Sequence, residues 1–301
     1  RCADVTGVQT CALPISVAGR VQLSPDLRAR LTLDWLLSGN AETQGALVVS
    51  GDRERYEVRH ELAAPFVVTT AGTVAMPIDA SPRVDLESTA TRIAYATASQ
   101  EVVATDLVVG VAGRTEDWRM TATADLDGDG LSGLAASLEA SGDLRTVVLD
   151  ALELNEVGET RLRATGSARF VNAPDWDATL ELRQLPTARV LPDIDAVLTG
   201  ALSVQGALGD APTVRVTTDG IEGLWRDYAV TLVGAARVEP DAVTLDAVRA
   251  SVGDNLLSLA GTLGREAGAE LDVALRAPEL SALWPGLAGA AYVEGRVSGT
   301  V

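Results

Sequence analysis

The stretch Asp125-Leu126-Asp127-Gly128-Asp129-Gly130 places carboxylates at positions 1, 3 and 5 and glycine at position 6, as the start of a calcium loop does. Position 12, where such a loop needs a bidentate acid, is Ala136, so the stretch reads as an Asp-Gly hairpin turn. His60 is the only histidine and lies between Arg59 and Glu61 in a polar strand, with no cysteine near it. That disfavours a transition-metal site, and the imidazole is expected in solvent. Serine-nucleophile chemistry would need His60 as its base, and no nucleophile-elbow pattern accompanies any serine. Trp35, Trp118, Trp176, Trp225 and Trp284 stand at strand starts and in one short helical segment. Their spread suits packing at sheet ends better than a stacking platform. The chain therefore reads as a non-enzyme, without metal or cofactor.

The elements that hold these residues are repeated. Trp176–Gly206 and Ala269–Gly299 share one layout: an alternating strand (Ala178, Leu180, Leu182; Leu271, Val273, Leu275), an arginine, a short proline-bounded segment and a second alternating strand. Arg183 and Arg276, Pro192 and Pro285, and Gly206 and Gly299 are all 93 apart. Upstream, Leu149-Asp150-Ala151-Leu152 and Leu245-Asp246-Ala247-Val248 repeat at an offset of 96. Period-2 alternation gives each copy one face of Leu, Val, Ala and Gly and one of Asp, Glu, Thr and Arg.

From Ala29 to Thr300 eighteen strands are expected, with two short helices at Thr187–Leu191 and Glu279–Trp284, the second with Leu280, Leu283 and Trp284 on one side. The fold class is all-β: an elongated, curled antiparallel sheet, a β-groove built from repeats. Residues 1–16, which hold both cysteines (Cys2 and Cys11), match nothing else in the chain and read as a non-native, adapter-derived segment. Residues 17–145 carry degenerate repeats and 146–301 clearer ones, truncated at both ends.

Forty-two acidic residues against 24 basic ones, all arginine, give a net charge of −18, which disfavours nucleic acid as a partner. A β-sandwich core is the ordinary use of an aliphatic face. Aromatics are only 4 %, however, where a two-sheet core leans on larger rings. Eighteen strands at about 4.8 Å extend roughly 86 Å, and open sheets of that size curl. A curled sheet with its apolar face inside is a trough that suits acyl chains. The expected lining is Leu162, Ala178, Leu180, Leu182, Leu198, Leu202, Val204, Val230, Leu232, Leu257, Leu259, Leu271, Val273, Leu275, Val293 and Val297.

The tract Arg161–Val301 resembles the TamB family, relatives of AsmA-like proteins. The resemblance rests on Gly166-Ser167-Ala168, the run from Trp176 to Leu182, Leu185–Pro192, the run from Leu198 to Leu202, the run from Gly253 to Gly261, and Leu280–Gly299. It implies a non-enzymatic part of the translocation and assembly module. Such a protein is anchored in the inner membrane, spans the periplasm and meets the outer-membrane barrel TamA through a region absent here. It also implies phospholipid as the passenger, or outer-membrane proteins in assembly. Two other readings are a scaffold that holds outer-membrane strands by β-augmentation and a compact secreted β-sandwich.

Overall fold

The computed structural model describes residues 15–299 except 25–27, 38–41, 78–80, 97–100, 129–130, 132, 172, 190–194, 210, 265–267 and 285. The chain is all-β: the described residues form nineteen strands in antiparallel ladders, an open sheet with almost no helix. It divides into two units, residues 1–128 and 129–301.

In the first unit β1 (Ile15–Leu23), β2 (Ala29–Leu37), β3 (Thr43–Gly51), β4 (Arg55–Ala64), β5 (Val68–Ala75), β6 (Arg83–Ala96), β7 (Glu101–Arg114) and β8 (Asp117–Gly128) form a meander. Each strand pairs with its chain neighbours. Of the segment read as non-native, residues 1–14 lie outside the described residues. Ile15 and Ser16 open β1, a strand the sequence reading lacked, and pair with Leu37 and Leu36.

The second unit is a meander of β9 (Leu134–Gly142), β10 (Thr146–Glu156), β11 (Glu159–Arg169), β12 (Asp175–Pro186), β13 (Ala196–Ala207), β14 (Thr213–Trp225), β15 (Tyr228–Glu239), β16 (Ala242–Val252), β17 (Asn255–Gly264), β18 (Gly268–Ala277) and β19 (Ala291–Gly299). A 3-10 turn, Thr187–Arg189, joins β12 to β13, and the four-residue helix α1 (Leu280–Leu283) joins β18 to β19. Trp284 does not share the covered side of α1: it is 68 % exposed, because the helix stops at Leu283 and Trp284 is extended. Ala282 fills the covered position instead.

Among the described residues, neither meander folds a second layer of its own strands onto itself. Apart from the two short helical segments, substantial contacts join only strands adjacent in the meander. No large side chain among the described residues is fully buried. From β12 to β14 one face of the second unit is nonetheless better covered than the other. Leu182 and Ile221 on one side are 8 % and 7 % exposed, whereas Val197 and Leu224 on the other are 40 % and 53 % exposed; from β15 onward the first face opens too, with Leu232 and Val293 37 % and 53 % exposed. In a single layer, such a difference arises when side chains crowd on the inside of a bend.

The bend has a local cause. The register shifts between Leu149 and Leu152, Leu182 and Leu185, Thr218 and Ile221, and Leu245 and Val248, so two residues of one strand oppose one of its neighbour. Such bulges bend a strand and raise its twist. Gln184 and Ala247 take φ of 48° within them. A bulge also resets the alternation, which carries β14 on to Trp225, beyond the Thr218 at which its alternation first breaks.

Candidate functional site

The cross-strand register gathers the apolar face of the second unit into rows. One row runs Ala136, Leu154, Leu162, Leu182, Gly200, Ile221, Leu232, Ala250, Leu257, Leu275, Val293, a residue from each of eleven strands. A second runs Ala140, Leu149, Gly166, Ala178, Val204, Val216, Ala236, Leu245, Gly261, Leu271, Val297. A third, nearer the β9–β10 turn, passes Val147, Ala168, Trp176, Gly206, Val214, Val238, Val243, Leu263 and Ala269. The first two rows contain no polar side chain; Thr218, between them, gives its hydroxyl hydrogen to the Ala201 carbonyl, 2.8 Å away. With strands about 4.8 Å apart, each of the first two rows crosses roughly 48 Å of sheet.

All sixteen residues expected to line the trough lie on this one face. Leu162, Leu182, Leu232, Leu257, Leu275 and Val293 are in the first row, and Ala178, Val204, Leu271 and Val297 in the second. Leu180, Leu202, Leu259 and Val273 lie between those rows, and Leu198 and Val230 beyond them on the other side of the first. Leu149, Leu152, Leu154, Ile221, Leu245, Val248 and Ala250 share the face and were missed. They lie where a bulge reverses which parity of residue points inward. The signal was present as apolar residues three apart: Leu149/Leu152, Leu182/Leu185 and Leu245/Val248 each mark a bulge.

The repeat is a repeat of register. Leu182 faces Gly200, and 93 residues later Leu275 faces Val293; Ala178 faces Val204 as Leu271 faces Val297. The bulge after Leu149 recurs 96 residues on, after Leu245.

Buried polar side chains tie down the two connections. Thr187 Oγ1 donates to the Ala196 carbonyl at 3.1 Å and accepts from its N–H at 3.0 Å. Asn255, 2 % exposed, donates Nδ2–H to the carbonyls of Val252 (3.1 Å) and Glu279 (2.9 Å) and accepts the Glu279 N–H at 3.1 Å. The opposite face is polar and cross-linked. Arg169 forms two bonds to Asp175 (2.9 and 2.8 Å), as Arg296 does to Asp272 (2.8 and 3.2 Å). These bonds hold both carboxyls below their ordinary pKa and both guanidiniums above theirs.

In the first unit Val21, Leu31, Val49, Val58, Gly72, Leu86, Val111 and Met120 form one apolar row. The adjacent row, Gly19, Leu33, Leu47, His60, Thr70, Ser88, Val109, Ala122, is interrupted by three polar residues on β4, β5 and β6. His60 is thus not a solvated residue of a polar face. Arg59 and Glu61 point the other way, while His60 is half-buried and accepts the Trp35 indole N–H at its Nε2, 3.3 Å away, the two rings lying within 4° of parallel. The sequence reading took the flanking charges as a guide to His60, whereas alternation assigns the central residue to the opposite face.

The other tryptophans divide. Trp176 lies over Gly206, where an added Cβ would meet its ring at 2.3 Å, and Trp225 carries the Arg226 guanidinium 5.0 Å from its ring centroid. Asp125 and Asp127 lie on the exposed side of β8, which stays extended through Gly128, and Asp129 and Gly130 lie outside the described residues. Among the described residues no cluster of three metal-ligating side chains occurs. No described helix is long and apolar enough to cross a membrane.

No solved structure matches the chain. The sequence model of the family described as "TamB, N-terminal domain" matches residues 7–301, well beyond the tract that carried the resemblance, and the chain belongs to the TamB family.

Proposed function

We propose that the uncovered apolar face is the working surface, and that it shields the acyl chains of phospholipid moving through the periplasm toward the outer membrane. The carrying observation is the set of unbroken apolar rows across eleven strands with no second layer of the unit's own strands on them. Each methylene moved from water onto such a surface is worth about 0.8 kcal/mol, so a full acyl chain held along it gains on the order of 10 kcal/mol. Neither of the first two rows offers a polar side chain to one position of the chain, which suits a passenger that slides. Anchoring in the inner membrane and engagement of the barrel TamA belong to the same reading, through parts of a longer protein. The family match supports a role in a translocation and assembly module without catalysis.

The test is capture. The purified chain, incubated with phosphatidylethanolamine vesicles and separated from them, is expected to carry diacyl lipid detectable by mass spectrometry. A chain that emerges free of lipid overturns the proposal.

A further inference from the structure

The polar inset of the first unit has no counterpart in the apolar rows of the second. His60, Thr70 and Ser88 stand side by side on three adjacent strands, with Val58, Gly72 and Leu86 beside them on the same face. Thr70 Oγ1 and Ser88 Oγ are 2.8 Å apart, so one hydroxyl hydrogen joins them and the other is left to donate. His60 Nε2 accepts from Trp35, which fixes the neutral imidazole with its proton on Nδ1. Among the described residues that Nδ1–H has no protein acceptor. The face therefore presents an imidazole N–H and a hydroxyl, both neutral donors, amid aliphatic side chains.

The chemistry of the partner follows from what is missing. Arg55, Arg59 and Arg83 alternate onto the opposite face and Arg92 lies four residues further along β6 from Ser88, so no cation stands beside the inset to hold a phosphate. Neutral donors in apolar surroundings match a neutral acceptor joined to hydrocarbon. Resting on the lipid-shielding reading above, we infer that the His60–Thr70–Ser88 inset is a subsite for the ester carbonyls of a diacyl glycerolipid, registering the head end of a lipid whose chains lie on the apolar row beside it in the first unit, through Val49, Val58, Leu86 and Val111.

Ether-linked lipids separate this subsite from general shielding, since they keep the chains and headgroup and lack the carbonyls. Vesicles of equimolar diester and diether phosphatidylethanolamine are offered to the full chain, and the captured ratio is read by mass spectrometry. Diester is expected in about fivefold to tenfold excess, the worth of one or two net hydrogen bonds. The near-isosteric pair Thr70→Val and Ser88→Ala, which leaves the His60 N–H in place, with folding checked by circular dichroism, is expected to lower the ratio severalfold while total lipid is unchanged. A wild-type ratio of one, with lipid captured, overturns the subsite alone. A ratio unchanged in the variant does the same, and capture of neither lipid overturns the shielding reading itself.

Discussion

Leu182 stands directly opposite Leu162 across the β11–β12 ladder, and both belong to a row that crosses the second unit without meeting a polar side chain. One residue earlier in the chain, Glu181 faces Arg163 on the other side of the sheet. The two neighbours should respond in opposite ways to a change of polarity.

Leu182→Asp is expected to destabilise the second unit by about 3 kcal/mol or more, because it leaves a charge at an 8 % exposed position among aliphatics. Leu256→Asp, at a position 44 % exposed on the polar face, is expected to cost less than about 1 kcal/mol. Urea titration of the two variants checks the difference, and equal losses would mean that the faces are alike.

Ala247 holds a left-handed conformation, φ 48°, at an exposed bulge position. Ala247→Gly should relieve that strain and stabilise the unit by about 1 kcal/mol. In Ala260→Gly, within the regular β17–β18 pairing, the same change should destabilise. Thermal melts of both proteins give the sign, and a loss in both would remove the bulge as the source of strain.

Asn255→Ala should loosen the β18–β19 connection. It strips the Glu279 N–H and C=O of their buried partner, a loss of about 2 kcal/mol. Hydrogen exchange at the Glu279 amide should speed up while the β12 and β13 amides stay protected; a uniform rise across the unit would contradict a local tie.

Asp175 and Asp272 have their carboxyl pKa values lowered by hydrogen bonds to Arg169 and Arg296. A lowered folded-state pKa stabilises above the unfolded value of 3.8, and the contribution is lost as pH falls through the folded one. Stability is therefore expected to be flat from about pH 8 to pH 5 and to fall below about pH 4. The double variant Asp175→Asn and Asp272→Asn should show a shallower acid slope in melts taken across that range. Both pairs are exposed, so 0.5 M salt should shrink the difference.

The alternation of apolar and polar residues was enough to place the strands, because period 2 is the sheet's own geometry and no helix competes for these segments. β13, read as Ala196–Ala207, has those bounds in the structure. Alternation misled wherever the backbone broke it. It stopped β14 at Thr218, ahead of the bulge before Ile221, and left Ile221, Val248 and Ala250 off the apolar face. His60 failed differently, since its charged neighbours hid a side chain that a period of two sends to the other side. No sequence pattern announces its bond to Trp35, which depends on register across β3 between residues 25 apart.

Photo-crosslinking amino acids placed one at a time on the two faces test the central claim most directly. In cells, probes at Leu180, Leu202, Leu257 and Leu275 should capture phospholipid, and probes at Thr179, Glu181 and Asp272 should not. Equal labelling of both faces, or labelling of neither, would contradict the account.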